Sequence, residues 1–346
     1  MNKLTLIAII VVAIVVAVAI TIAVPMLYKQ RATLVQCPGK DNTMFIVYYS
    51  IPPNETIFKY LSTSISNVIA SNTSGAINIT FSICSVRYGD LGENLRADLS
   101  NRTVFPIIGI YTSKNIAEAV IARQLFNSYG NYYIVKENLT RGIYAYLAYY
   151  GLSVLKEPRA FVEILRPPKL FANETPIIGS PNAKYYLVIY EDMHCPYCAK
   201  FYAESLPVIE NLTRNGTFAI ALKNFIIHEE VLPMHRNITA MYLATQNSTA
   251  VLEVMKDVYR LINNGVEPSS DDVASIIKNI TGCSKFNVDM NVVDRIIEDD
   301  FREGQNYGIF GTPGLIIWSR EYNRGVVIVG YASAEEILNI ARSYMS

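Results

Sequence analysis

The chain has 346 residues, and its 30 lysines and arginines balance its 30 aspartates and glutamates, so the formal net charge is zero. Because nucleic-acid-binding proteins carry clustered positive charge, this balance argues against a nucleic-acid partner. The length favours about two domains with accessory segments. Only 17% of the residues are charged and 51% are hydrophobic, which is apolar for a soluble protein.

The N-terminus explains part of this apolar character. Residues 4–24 form an apolar run broken only by Thr5 and Thr21, which is long enough to cross a bilayer as a helix. A cleaved signal peptide usually has a shorter apolar core, and the candidate cleavage site at residues 17–19 lies inside the run. We therefore predict that residues 1–30 are an uncleaved transmembrane signal-anchor helix and its stalk.

The orientation of this helix is predicted from glycosylation acceptors, because the basic residues flanking the run scarcely distinguish its two sides. Triplets of the type Asn-x-Ser/Thr all follow the run and begin at Asn54, Asn72, Asn78, Asn101, Asn138, Asn173, Asn211, Asn215, Asn237, Asn247 and Asn279. Richness in Asn and Thr alone would also produce such triplets. Together with a disulfide-type motif they favour a glycoprotein body outside the cytoplasm, held in the cell membrane by a single span.

A first α/β domain is predicted over residues 31–165. Its elements are strand 43–50, helix 54–70, strand 76–84, a short helix 91–100, strand 107–111, an extended piece 132–135 and helix 140–150. This order is that of a thioredoxin fold, and Pro106 stands where that fold places a cis-proline. No CxxC follows the first strand, so we predict a degenerate thioredoxin-like domain, with an unrelated α/β domain as the alternative.

A second domain is predicted over residues 184–346, after a linker at 166–183 that contains four prolines. A strand at 185–190 ends in a polar turn at Glu191 and Asp192 and is followed by a cysteine motif and a helix. The other predicted elements are strand 217–224, several helices within 234–303, strands 314–319 and 326–330, and a final helix 334–345.

The motif Cys195-Pro196-Tyr197-Cys198 carries the chemistry. Pro196 suits the first turn of a helix, and Cys195 then lies at or beside the N-cap, where free backbone N–H groups stabilise a thiolate. Cys198, one turn further on, can act as the resolving thiol of a reversible disulfide. A zinc site would require a second ligand pair that the sequence lacks, and a purely structural disulfide would close too small a loop to add much stability.

The second domain closely resembles the DsbA-like thiol–disulfide oxidoreductases of the thioredoxin superfamily. Four features carry the resemblance, which covers about residues 177–346: residues 190–198 (YEDMHCPYC), the helical insertion, residues 308–313 (GIFGTP) and residues 329–331 (VGY) before a helix. The fold class that it implies is α/β, a thioredoxin fold with a helical insertion, preceded here by the thioredoxin-like domain and the transmembrane helix.

The resemblance also assigns roles to individual residues. Cys195 would be the nucleophile and Cys198 the resolving thiol. Pro313 would be the cis-proline facing the disulfide, which lets the backbone of Thr312 pair with an extended substrate segment.

Active-site tuning is assigned to His194, Pro196 and Tyr197. A protonated His194 would stabilise the thiolate and make the disulfide more oxidising, although it is equally consistent with a plain surface residue. Some relatives keep a buried acid on the strand six residues before the first cysteine, where this chain has Ile189. We therefore expect no carboxylate proton relay at that position, and we expect Asp192 to hold the turn.

The remaining cysteines and histidines receive structural assignments. Cys37 and Cys84 are the candidates for a structural disulfide in the first domain, which would leave Cys283 as a free thiol, buried or available for exchange. His228 and His235 are interpreted as structural or surface residues.

These inferences predict a membrane-anchored oxidoreductase that introduces disulfides into secreted or surface proteins. Its partners would be thiol-containing protein substrates and, as the resemblance implies, a membrane re-oxidising partner of the DsbB or VKOR type. No metal and no other cofactor is expected. Alternatives are a disulfide isomerase or reductase fed by a membrane electron carrier, a soft-metal protein binding copper through the motif, and a surface protein with a vestigial CxxC.

Overall fold

The computed structural model describes Cys37, residues 40–137, Leu139 and residues 161–343. These residues fall into two compact units, separated between residues 160 and 161. Within the described ranges, no helix is both long and apolar enough to cross a bilayer. The predicted anchor at residues 1–30 and the predicted helix 140–150 lie outside the described residues.

The first unit is built on one mixed sheet with the strand order β2-β1-β4-β6-β5, in which β1 is parallel to β2 and antiparallel to β4. Its elements are β1 (Thr43–Tyr48), α1 (Glu55–Asn72), β2 (Ser82–Arg87), α2 (Glu93–Asp98), β3 (Val104–Phe105), β4 (Ile107–Tyr111), α3 (Val120–Leu125), β5 (Phe126–Tyr129) and β6 (Tyr132–Val135). The bond between Phe105 and Pro106 is cis. The βαβ unit followed by antiparallel strands is the order that the sequence predicts.

One strand of this unit differs from its prediction. The alternating segment 76–84 was expected to be a strand, but β2 runs from Ser82 to Arg87. Ile77, Ile79 and Phe81 are buried while Ala76, Asn78 and Thr80 are exposed, so burial does alternate along this segment. The alternation comes from an extended segment that is buried on one side but does not pair with β1, because the backbone pairing of β2 with β1 begins only at Ser82.

The second unit has a sheet in which its strands follow the order β7-β12-β11-β9-β10-β8. Strand β9 is parallel to β10 and antiparallel to β11. The elements are β7 (Val162–Ile164), β8 (Ile177–Ile178), β9 (Tyr185–Glu191), α4 (Pro196–Glu204), α5 (Leu206–Thr213), β10 (Phe218–Asn224), α6 (Leu232–Thr245), α7 (Ser248–Asn263), α8 (Ser270–Thr281), α9 (Met290–Asn306), β11 (Gly314–Ser319), β12 (Arg324–Val329) and α10 (Ala334–Ser343). Helices α6 to α9 form the insertion between β10 and β11.

Two segments near the site depart from simple expectation. The segment 166–183, predicted as a linker, belongs to the second unit and supplies β8, which pairs with β10. The helix after the cysteine motif divides at Ser205 into α4 and α5. Pro207 explains the division, because a proline lacks the N–H that would continue the helical ladder.

Strand β9 carries the site at its C-terminal end. Every residue of β9 is buried, as expected for a central strand covered on both faces. A buried ionic group ties β9 and β10 to α9: Lys223 Nζ lies 2.7 Å from Asp300 Oδ1 and 2.8 Å from Glu303 Oε2, and Tyr190 donates to Glu303 at 2.9 Å. Burial lowers the pKa of Lys223, but the two carboxylates outweigh burial and raise it.

Candidate active site around Cys195 and Cys198

Cys195 is the N-cap of α4. Its backbone is extended (φ −78°, ψ 115°), Pro196 occupies the first turn, and the N–H of Cys198 donates to Cys195 Sγ at 3.3 Å. The preceding turn is closed by the N–H of Cys195, which donates to the carbonyl of Asp192 at 3.0 Å. The sulfur therefore takes the place that an oxygen-bearing side chain usually takes at a helix N-cap, where backbone N–H groups favour negative charge.

The loop before β11 faces this sulfur. Gly314 pairs with Tyr190 across β11 and β9, so the residues before Gly314 arrive beside the active-site turn. The bond between Thr312 and Pro313 is cis, and Cys195 Sγ lies 3.2 Å from the carbonyl oxygen of Thr312. The structure thus brings together the two cysteines and the Thr312–Pro313 pair that the sequence analysis assigned to catalysis and substrate binding.

The two thiols differ in burial and acidity. Both are free; Cys195 is 5% exposed and Cys198 is fully buried. The hydrogen bond from the Cys198 thiol is the main cause that lowers the pKa of Cys195 to about 6, and Thr312 and backbone N–H groups contribute while burial opposes. Burial raises the pKa of Cys198 well above its ordinary value. At neutral pH one sulfur is therefore a thiolate and the other a thiol.

Glu191 is a site residue that the sequence analysis missed, because it was assigned to a polar turn. It ends β9, is 3% exposed, and accepts a hydrogen bond from Tyr259 Oη at 3.4 Å. Burial raises the pKa of its carboxyl to about 8, and its charge in turn raises the pKa of Cys198. Strand alternation was the available signal: Ile189 and Glu191 lie on the same face of β9, two residues apart.

Asp192, the next residue, is also buried but sits among N–H donors. Its carboxylate accepts from the backbone N–H groups of His194 (2.9 Å), Ile227 (2.7 Å) and His228 (3.0 Å), and lies 3.0 Å from His228 Nδ1. Burial raises the pKa of Asp192, but these hydrogen bonds outweigh burial and lower it. An ionised Asp192 therefore joins the active-site turn to the segment after β10.

The three residues assigned to tuning lie in different surroundings. Pro196 and Tyr197 are exposed, Tyr197 to 61%. The ring of His194 is mostly buried: its Nε2 lies 3.0 Å from the carbonyl oxygen of Pro268, and its Nδ1 faces the carboxylate of Glu267. Tyr197 and Pro196 thus form surface beside Cys195, whereas His194 points into a polar cluster.

The other cysteines and His235 have separate positions. Cys37 and Cys84 form a disulfide with Cα atoms 5.7 Å apart, and Cys283 is a free, exposed thiol. His235 is fully buried with Nδ1 2.8 Å from Asn224 Oδ1, and burial lowers its pKa to about 4. His235 is therefore a neutral interior residue at physiological pH.

Comparison with known proteins finds one family match and several solved structures of low sequence identity. Residues 172–328 match the family described as Thioredoxin. One similar solved structure is the catalytic domain of Proteus mirabilis ScsC, with 19% sequence identity and a TM-score of 0.39 over 49% of this chain and 86% of that one. Another is a periplasmic thioredoxin-like protein from Salmonella enterica serovar Typhimurium, with 18% identity and a TM-score of 0.40 over 49% of this chain and 89% of that one. A third is Pseudomonas aeruginosa DsbA2, with 18% identity and a TM-score of 0.40 over 52% of this chain and 97% of that one.

No curated protein matches the chain in sequence. The family match falls on the unit whose strand order, helical insertion and CPYC turn have just been described. Residues 172–328 therefore resemble the Thioredoxin family in sequence, and they include the CPYC turn at the end of β9.

Proposed function

We propose that the protein is a membrane-anchored oxidase of protein thiols, which introduces disulfides into secreted or surface proteins. The observation that carries the proposal is the position of Cys195 at the N-cap of α4, where its sulfur accepts from the N–H of Cys198 and its pKa is lowered to about 6. At pH 7 such a thiol is about ten parts thiolate to one part thiol, which stabilises the reduced pair by about 1.4 kcal/mol and raises its potential by about 30 mV. A stabilised reduced form makes the disulfide a better oxidant.

The proposed reaction begins with the Cys195–Cys198 disulfide. A substrate thiolate attacks Cys195 Sγ, forms a mixed disulfide and releases Cys198 as a thiolate, which takes up a proton. A second substrate thiolate then attacks the substrate sulfur of the mixed disulfide and releases Cys195 as a thiolate. The substrate loses two electrons and the enzyme gains them, so turnover requires an oxidant, for which the family resemblance suggests a membrane oxidase of the DsbB or VKOR type.

Glu191 supplies the proton in this scheme. Cys198 is fully buried, so its leaving thiolate has no direct access to solvent protons. With a pKa of about 8, the buried carboxyl of Glu191 is mostly protonated at pH 7. An ionised Glu191 would raise the pKa of Cys198 further, so the protonated carboxyl is the state that suits a leaving thiolate at Cys198.

Protein substrates are supported by the surface around Cys195. Three large apolar side chains that lie close to site residues in the sequence, Tyr197, Ile227 and Phe310, are each at least 44% exposed. Exposed apolar groups of this kind are typical of binding surfaces for polypeptide. In the proposed complex an extended substrate segment pairs with the backbone of Thr312, and its apolar side chains contact this surface.

The proposed location is the outer side of a membrane, with residues 1–30 as the anchor. The Cys37–Cys84 disulfide supports an oxidising compartment, and the Asn-x-Ser/Thr triplets after the apolar run agree with it. A second candidate is an isomerase or reductase, which a chain with two α/β units of related strand order would suit.

The test is the equilibrium reduction potential of the Cys195–Cys198 pair, titrated against glutathione. We expect a value more oxidising than about −270 mV and on the side of about −120 mV, whereas a value at or below about −270 mV would contradict an oxidase and favour the reductase. The Cys198→Ser variant should accumulate mixed disulfides with substrates on non-reducing gels. The matched Cys195→Ser variant should accumulate none, because Cys195 is the sulfur that substrates attack.

A further inference from the structure

A polar cluster of His194, Glu230 and Glu267 lies beside the active-site turn, and the proposed disulfide exchange assigns no role to its two glutamates. His194 immediately precedes Cys195, and its side chain is 10% exposed. Its Nε2 lies 3.0 Å from the carbonyl oxygen of Pro268. A carbonyl only accepts, so Nε2 carries a proton and Nδ1 is the ring nitrogen left to meet a ligand or ion.

Nδ1 of His194 is buried and makes no hydrogen bond with any described residue. It nevertheless points at two carboxylates: Glu267 Oε1 lies 3.1 Å away and Glu230 Oε1 lies 3.6 Å away. All three atoms lie within 4.8 Å of one another. The three donor atoms thus face a common point, where a bound cation would give the buried nitrogen the partner that it lacks and would offset the two carboxylate charges.

The distances can be compared with those of a metal site. Zinc binds imidazole nitrogen and carboxylate oxygen at about 2.0–2.1 Å with tetrahedral geometry, which places neighbouring ligand atoms about 3.3 Å apart. The two distances from Nδ1, 3.1 and 3.6 Å, lie on either side of that value. The carbonyl of Pro268 also holds the ring by its other nitrogen, which is the usual outer contact of a metal-binding histidine.

We propose that His194, Glu230 and Glu267 bind a divalent transition-metal ion of the zinc class, with water in the fourth position. A neutral imidazole and two carboxylates carry a charge of −2, which a divalent cation balances. The set contains no thiolate or thioether, so it favours Zn²⁺ over Cu⁺. The exposed sides of the two glutamates, whose side chains are 60% and 77% exposed, leave an entry path for the ion.

Such an ion would join three separate segments of the second unit. His194 belongs to the turn before α4, Glu230 to the short turn before α6, and Glu267 to the connection between α7 and α8. The metal would thus fasten the active-site turn to the helical insertion. It would also place positive charge one residue from the nucleophile Cys195. The inference does not depend on whether the enzyme oxidises or reduces its substrates.

The test is metal binding by the full chain, with Cys283→Ser as background and the Cys195–Cys198 pair oxidised, so that no free thiol competes. Zn²⁺ is titrated by calorimetry, and Co²⁺ by its visible absorption, which reports coordination geometry. We expect one saturable site per chain, weakened at least tenfold in Glu267→Gln and in Glu230→Gln. The control is Glu229→Gln, an exposed neighbour of Glu230 outside the cluster, which should bind like the parent.

Three results would overturn the proposal. They are the absence of saturable binding up to millimolar Zn²⁺, equal affinity in Glu267→Gln and Glu229→Gln, and a cobalt spectrum unchanged by His194→Asn. Each variant is first checked for folding by the fluorescence of Trp318, the one tryptophan of the chain. A variant that fails this check is replaced by the other glutamate variant, because both exposed carboxylates make the same prediction.

Discussion

Replacing Glu191 by glutamine should stabilise the second unit, and more so as the pH rises. In the folded chain, burial raises the pKa of this carboxyl from 4.5 to about 8. The folded state therefore holds the proton more tightly than the unfolded state. The contribution of Glu191 to stability is greatest below pH 4.5 and falls as the pH rises to about 8, where the carboxyl ionises in the folded state too.

The size of this change in the free energy of unfolding follows from the pKa shift of Glu191. Each pKa unit corresponds to about 1.36 kcal/mol, so the full penalty at high pH is about 5 kcal/mol as an upper bound. Between pH 5.5 and 8.5 the penalty grows by about 3 kcal/mol. Glutamine keeps the shape of the side chain and an oxygen that accepts from Tyr259, but it does not ionise. The variant should therefore lack this part of the pH dependence.

The assay is urea unfolding followed by the fluorescence of Trp318, which lies in β11 and is 4% exposed. Because the chain has one tryptophan, this signal reports the second unit. Both proteins are oxidised, so that neither Cys195 nor Cys198 titrates. The exposed Glu335 supplies a control, Glu335→Gln, whose difference from wild type should stay within about 0.5 kcal/mol. A difference between wild type and Glu191→Gln that is constant from pH 5.5 to 8.5 would refute the reasoning.

Two further predictions concern the thiols and the buried lysine. Thiolate absorbance at 240 nm should rise with a midpoint near pH 6 in the reduced protein. The Cys198→Ala variant should raise that midpoint by about one pH unit, because it removes the main hydrogen bond to Cys195. An unchanged midpoint would show that the helix N-terminus alone sets the acidity of Cys195. Lys223→Met should lower the free energy of unfolding by about 3–5 kcal/mol, because it leaves the carboxylates of Asp300 and Glu303 buried without their cation. Urea unfolding measures this loss, and a value below about 1 kcal/mol would mean that these carboxyls are neutral in the folded chain.

The parts of the site that the sequence predicts are those governed by local rules. The N-cap position of Cys195 follows from a strand, a turn and Pro196 at the first helical turn, all within a few residues. The proximity of Thr312 follows from the resemblance and from antiparallel pairing of β11 with β9. Both expectations depend on short patterns whose structural meaning changes little with the rest of the chain.

The parts that the sequence does not predict depend on distant segments. Glu191 resembles a turn residue until α7 of the insertion covers it and supplies Tyr259. His194 is brought to Glu230 and Glu267 by two loops of that same insertion. Neither arrangement has a spacing signature, because packing of the insertion against the end of β9 decides it.

Glu191 and Asp192 are adjacent and both buried, yet near neutral pH Glu191 is mostly protonated and Asp192 is ionised, because their hydrogen-bond donors differ. Asp192 is surrounded by N–H groups, which lower its pKa, whereas burial dominates at Glu191 and raises its pKa to about 8. An ionised Glu191 would oppose formation of a thiolate at Cys198, whose pKa its charge raises. Between about pH 6 and pH 8, Cys195 is ionised while Glu191 still holds its proton. In that interval the site holds both a stabilised thiolate at Cys195 and a neutral carboxyl at Glu191, the combination that the proposed oxidase reaction uses, while the N–H donors around Asp192 keep its carboxylate ionised.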